Sequence, residues 1–193
     1  MKRSTVDRKK LSPMMAQYME LKDKYEDCIV FYRLGDFYEM FFEDAIIASR
    51  ELELTLTGKS AGLEERVPMC GIPHHAYSSY IDQLIEKGYK VAIAEQLEDP
   101  KTAKGTVKRD VIQVVTRGTR LDNNLDSKNN NYIANIYDFD YCKGIAYTDI
   151  STGEFFCELL EKDNEDVERE IVKRGFRELI VSENTDRELI NTL

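Results

Sequence analysis

The period of the apolar positions changes along the chain, and each change marks a predicted element. Ser12-Pro13 reads as an N-cap followed by proline at the first helical position, and Met15, Tyr18, Met19 and Lys22 then recur along one face. This predicts a helix to about Tyr25. "CIVFYRLGDFYEMF" reads as two short extended segments about Leu34-Gly35-Asp36, a tight-turn signal. "EDAIIASRELE" continues as helix, "LTLTG" as a strand, "KSAGLEERVPMCGIPHHAYS" as a long Gly- and Pro-bearing loop, and "SYIDQLIEKG" as a helix ended by Gly88. "YKVAIAEQ" and "RDVIQVVTRG" have the alternation and β-branching of strands. Together these elements predict an α+β domain around one mixed sheet.

"LDNNLDSKNNN", residues 121–131, is polar, rich in Asn and without apolar periodicity. It divides the chain into an expected domain over residues 1–120, a linker over 121–130 and a second domain over 131–193. In the second part, "NYIANIYDF", "KGIAYTDIS" and "GEFFCELL" predict three strands joined by turns that each carry Gly. "NEDVEREIVKRG" follows as an amphipathic helix closed by Gly175, "RELIVSE" as a strand and "TDRELINTL" as the start of a helix. A three-stranded meander followed by helix and strand is the opening half of an RNase H-like α/β domain. Because the pattern stops inside a helix, the sequence is expected to be a fragment of a longer protein.

With 193 residues, 42% of them hydrophobic, there is material for one large core or two small ones. No segment approaches the roughly eighteen continuous apolar residues of a membrane span, and no apolar stretch follows "MKRSTVDRKK". The expectation is a soluble cytoplasmic protein with no membrane partner. Cys28, Cys70, Cys142 and Cys157 are scattered without metal-site spacing and are expected to be reduced, mostly buried thiols. The net charge of −9 argues against nucleic acid until its distribution is examined. Up to Arg117 there are 18 Lys and Arg against 19 Asp and Glu, and thereafter 9 against 17. The acidity lies in the second part, which leaves the first near neutral and able to carry a basic face.

Three motifs have bland readings that outweigh the chemical ones. "GKS" at Gly58 to Ser60 lacks the glycine five positions earlier that a phosphate loop needs, since Glu53 stands there. His74-His75 point apart in an extended loop and have no third ligand at a plausible spacing. "DISTG", Asp149 to Gly153, reads as a strand-end turn, with no acidic pair placed for two-metal chemistry.

"GDFYEMFFEDA", Gly35 to Ala45, is different. Its aromatics fit a core and its carboxylates a solvated helix edge, which is the ordinary reading. If the backbone is extended, however, Phe37, Glu39 and Phe41 share one side and Tyr38, Met40 and Phe42 the other; on a helix Phe37 and Glu39 would diverge by about 200°. A carboxylate between two aromatics suits a core poorly, because a buried unpaired charge is costly. A surface for an aromatic partner with hydrogen-bonding edges, such as a nucleobase, is the competing reading.

"FYRLGDFYEMFFEDA", "VPMCGIPHHA", "VAIAEQLEDP" and "VVTRGT", in this order over roughly residues 10–120, resemble the mismatch-recognition domain of the MutS family of DNA mismatch repair proteins. Residues 131–193 resemble, less distinctively, the first part of that family's connector domain. The resemblance implies that Phe37 is the wedge that stacks on a mispaired base and that Glu39 is the carboxylate that hydrogen-bonds it. It further implies that Lys59 and Arg109 are candidate phosphate contacts. The implied partner is double-stranded DNA with mismatches or small insertion/deletion loops. The family's ATP and Mg site, its dimer interface and its dealings with repair partners such as MutL are implied for the full-length protein, which is expected to be nucleoid-associated. No cofactor, metal or enzymatic activity is implied for this chain. Two rivals are a metal-dependent nuclease using Asp36, Glu39, Glu43, Asp44 or the acids near Asp149, and a structural or interaction module with no DNA binding of its own.

Overall fold

A computed structural model of the chain describes residues 3–99, 103, 105–119, 130–139 and 141–192. It divides into two compact units, Met1–Thr116 and Arg117–Leu193. The linker expected at 121–130 lies, Asn130 apart, outside the described residues.

The first unit is built on a mixed sheet with helices on both faces. Helix α1, Pro13–Lys24, opens with proline where a missing N–H costs nothing. Strands β1 (Cys28–Leu34) and β2 (Phe37–Phe41) form a hairpin that runs without a loop into α2 (Phe42–Glu51). Strands β3 (Thr57–Lys59) and β4 (Val67–Pro73) precede α3 (Tyr77–Glu86), and β5 (Lys90–Gln96) and β6 (Arg109–Val115) complete the sheet. The strand order is β3-β4-β2-β1-β5-β6, parallel only where β1 meets β5.

The period-2 alternation of the strands sorts their side chains between two cores. Ile29, Phe31, Tyr38, Met40, Ile72 and Ile93 pack under α2 and α3. Val30, Tyr32, Phe41, Ala92 and Ala94 pack under α1 with Met15, Tyr18 and Met19. Lys22, on the same buried stripe of α1, forms an ion pair with Asp44 at 2.9 Å. Asp44 also accepts hydrogen bonds from the Val30 N–H at 2.9 Å and the Tyr18 hydroxyl at 3.1 Å. Burial holds its carboxyl above the usual range, against the opposing pull of Lys22 and those donors.

Three sequence expectations are corrected here. The segment expected to be a long loop contains β4, which pairs with both β2 and β3. Phe42 does not continue the strand on the side of Tyr38 and Met40. It adopts a left-handed φ of 53° at the start of α2 and packs beside Tyr18 in the opposite core. Asp44 is buried, so the acids of this stretch are not a uniformly solvated edge.

The second unit has a four-stranded sheet in the order β10-β7-β8-β9. Strands β7 (Tyr132–Asp138), β8 (Lys143–Asp149) and β9 (Glu154–Leu160) form the meander. Helix α4 (Asn164–Arg174) then crosses to β10 (Glu178–Val181), parallel to β7, and α5 (Arg187–Thr192) follows. Ala134, Ile136, Ile145 and Tyr147 pack against Val167 and Leu189 on one face. Gly175 ends α4 in the left-handed conformation that a C-terminal cap favours. Of the two glycines assigned to turns, Gly153 is in one, whereas Gly144 lies inside β8. Asp149 caps the end of β8: its carboxylate accepts from the Ser151 hydroxyl at 2.6 Å and from the amides of Ser151 and Asn131 at 2.9 and 2.8 Å.

Candidate nucleic-acid interface

The β1–β2 hairpin turns through Gly35 and Asp36, with Leu34 opposite Phe37 as its closing pair. Gly35 has φ +57°, a positive value at the first central position, as a two-residue II′-type turn demands. Four contacts brace this turn. The Arg33 Nε donates to the Gly35 carbonyl at 2.6 Å, and the His74 backbone N–H donates to the Asp36 carbonyl at 2.9 Å. Arg33 also lies over the Tyr38 ring, and the Tyr38 hydroxyl bonds the Glu95 carboxylate. Burial, followed by that contact with Glu95, pushes the Tyr38 hydroxyl well above its ordinary pKa, so it remains a donor.

Phe37 emerges from this braced turn with 49% of its surface exposed, although every other residue of β2 is buried or half-buried. Glu39 is on the same side of the strand, two residues on. Its Oε2 lies 2.5 Å from Lys59 Nζ, which reaches it from β3 across β4. Gly71 stands opposite Glu39 on the intervening strand. A Cβ there would meet the Glu39 Cγ at an ordinary 3.5 Å but approach the Tyr38 carbonyl at a tight 3.3 Å, so it is the neighbouring strand backbone that favours glycine.

Arg109 is placed differently from the other three candidates. It is 7% exposed. Its Nε donates to the Arg33 carbonyl at 2.7 Å, a terminal nitrogen donates to the Val107 carbonyl at 2.8 Å, and the guanidinium lies 5.0 Å from the centre of the Tyr32 ring. Burial pushes the Tyr32 hydroxyl up to about 12 despite that neighbouring charge. The structure therefore brings Phe37, Glu39 and Lys59 together on one face and buries Arg109 against Tyr32, the cross-strand partner of Glu39, where it braces the hairpin.

The other motifs resolve simply. Gly58 and Lys59 belong to a strand, without a glycine-rich arc. His74 is half-buried, with Nδ1 also 3.2 Å from the Asp36 carbonyl, and His75 is exposed. Among the described residues no three His, Cys, Asp or Glu side chains are grouped as a metal site would require. No helix among them is long and apolar enough to cross a membrane.

The sequence model of MutS domain I matches residues 12–124, and that of MutS domain II matches 131–193. The chain belongs to the MutS family. Proteins named DNA mismatch repair protein MutS from Clostridium beijerinckii and Clostridioides difficile are 55% identical over 184 residues and 56% over 179. These alignments cover 95% and 92% of this chain but 20% and 19% of the relatives. The MutS protein of Listeria welshimeri is 55% identical over 175 residues, covering 90% of this chain and 20% of the relative. The chain thus spans about one fifth of the length of the MutS relatives it matches. The mixed sheet of the first unit is MutS domain I, and the meander with its crossover helix belongs to MutS domain II.

Arg33, Glu95 and Gly71 are not singled out in the sequence, and Tyr38 and His74 stand out there for other reasons, a strand face and a weak metal motif. Only their neighbours in space give them these roles: the β1–β2 and β1–β5 pairings bring Arg33, Tyr38 and Glu95 together, and β4, which reads as loop in the sequence, brings Gly71 and His74.

Proposed function

We propose that this chain recognises mispaired or unpaired bases in double-stranded DNA, with Phe37 as the wedge and Glu39 as the hydrogen-bonding carboxylate. The observation that carries the reading is the half-exposed ring of Phe37 on the same strand face as the Glu39 carboxylate. An aromatic wedge that enters the minor groove unstacks a base step at a cost of a few kcal/mol, and the resulting kink lets the duplex wrap more protein surface. A mispair has already lost part of its pairing and stacking, so the same insertion costs less there. A carboxylate is repelled by the phosphates of any duplex, whereas a displaced base offers it a donor, and paired DNA is thereby disfavoured. Discrimination then comes from deformability, with little reading of sequence.

Lys59 contributes positive charge at this face. Arg109 acts through the hairpin that it braces. ATP and Mg binding, dimer formation and contact with MutL belong, in this reading, to the rest of a full-length family member in the bacterial cytoplasm, and no residue of this chain is assigned to them. A second reading applies to the second unit alone. Tyr137, Phe155 and Leu159 are exposed on the sheet face opposite α4, which suits a part that joins other protein segments better than one that meets DNA.

The test is a fluorescence-anisotropy titration of mispaired and fully paired oligonucleotides with the full-length protein. Phe37→Ala is expected to bring affinity for the mispair down to that for the paired duplex. An undiminished preference in that variant would overturn the reading.

A further inference from the structure

The Glu39–Lys59 contact raises a question that a wedge and a phosphate-binding lysine leave open, because in this structure each charge is already taken by the other. Lys59 Nζ is 2.5 Å from Glu39 Oε2 and also lies 5.8 Å from the centre of the Phe41 ring. The Glu39 side chain is 16% exposed and that of Lys59 30%, so the pair is partly withdrawn from the salt that screens open surfaces. While the pair is closed, the carboxylate repels phosphates less than a lone carboxylate would. In the same state, the ammonium is not offered to a phosphate.

We propose that Glu39 and Lys59 exchange partners on a mispaired duplex: a donor on the displaced base takes the carboxylate, and the freed ammonium moves to a backbone phosphate. The inference rests on the assignment of Phe37 and Glu39 above and adds a specificity-determining role for Lys59. A fully paired duplex presents no donor to Glu39, so the pair stays closed and Lys59 gains no phosphate. The additional electrostatic contact forms only where the base has already been found. A lysine that simply held a phosphate would strengthen binding to every duplex alike.

Counterion release distinguishes the two cases. Each phosphate neutralised steepens the fall of log affinity with log salt by about 0.9. In a full-length MutS background carrying this sequence, affinities for a mispaired and a paired duplex are measured over a salt series. The mispaired complex is expected to have the steeper slope, by about 0.9. Lys59→Met should abolish the difference by flattening the mispaired slope. Glu39→Gln should abolish it from the other side, by steepening the paired slope, because a neutral amide no longer retains the ammonium. Lys59→Arg, which keeps the charge, should preserve it.

Equal slopes in the unsubstituted protein that fall together in Lys59→Met make Lys59 an ordinary phosphate contact and overturn the exchange. Slopes that do not respond to Lys59→Met overturn it as well. Phe37→Ala, measured alongside, separates the levels of failure. If that variant loses its preference while the unsubstituted slopes are equal, the exchange alone is wrong; if the preference survives, the assignment of the site falls and the exchange with it.

Discussion

The Arg109 Nε donates to the Arg33 carbonyl at 2.7 Å, so a side chain from β6 holds the last turn-ward segment of β1, on the far side of the intervening β5. Arg33 in turn holds the Gly35 carbonyl. The two arginines form a short chain of hydrogen bonds that ends at the turn presenting Phe37.

Arg109→Ala is therefore expected to act on the hairpin and not on the phosphates. Loss of its buried hydrogen bonds should cost about 1–3 kcal/mol of stability, measured by thermal or urea unfolding. Preference for a mispair should weaken as the turn loosens, while the salt slope of binding to paired DNA stays the same. A slope that falls by about 0.9 would make Arg109 a phosphate contact after all.

Phe37 and Phe41 share a strand face but not an environment, one half-exposed and the other fully buried. Phe37→Ala should change stability by less than about 1 kcal/mol, as expected of a surface position. Phe41→Ala should cost about 3–5 kcal/mol, because it opens a cavity among Tyr18, Tyr32 and Phe41's other neighbours beneath α1. Chemical unfolding of the two variants side by side checks the contrast.

The Lys22–Asp44 pair joins α1 to the start of α2 and is buried. Lys22→Met leaves the Asp44 carboxylate without its cation and should cost about 3–5 kcal/mol. The double variant Lys22→Met with Asp44→Asn should recover much of this loss, since the amide oxygen can still accept from the Val30 N–H and the Tyr18 hydroxyl. A double-mutant cycle by urea unfolding measures the coupling.

Asp149 supplies the pH dependence of the second unit. Burial disfavours its ionised form, but the hydrogen bonds from Ser151, followed by those from the Asn131 and neighbouring amides, outweigh it and hold the carboxyl below its usual range. The unfolded chain then takes up the proton first. The stabilisation is complete above the ordinary aspartate pKa of about 3.9 and is lost as the pH falls through that value towards the folded one. Asp149→Asn should be less stable at neutral pH by about 1–3 kcal/mol and should show a flatter response below about pH 4. Urea midpoints followed by NMR on β7–β9 amides, at neutral and acidic pH, test this.

Much of this was legible in the one-dimensional pattern. The helices announced themselves by proline at the start of α1 and glycine after α3 and α4, and the turn at Gly35 fixed which residues of β2 share a side. The placement of Phe37 and Glu39 on one face follows from an alternation of period two once the backbone is extended, and the pairing of β2 with β1 and β4 supplies that condition. β4 escaped because Pro68, Gly71 and Pro73 read as loop residues. In the sheet, Pro68 pairs only towards β3 and Pro73 only towards β2, so each proline has one side where a missing N–H breaks no ladder bond. Arg109 was legible as a basic residue but not as a buried one, because the carbonyl and ring that hold it come from β1. Phe42 escaped for a local reason. A left-handed φ is strained for a phenylalanine, and only its enclosure in the core beneath α1 sustains it.

The absence of any spacer between β2 and α2 has a consequence for what this segment can tolerate. Five strand residues lie between a two-residue turn and a helix that begins at once, so there is no slack to absorb a change in length. Substitutions there alter one side chain at a time. One residue inserted between Phe37 and Glu39 would instead put the ring and the carboxylate on opposite sides of the sheet at a stroke, while leaving the composition of the segment almost untouched. The quantity held fixed along this strand is therefore a count, and amino-acid identity is meaningful only after that count is kept.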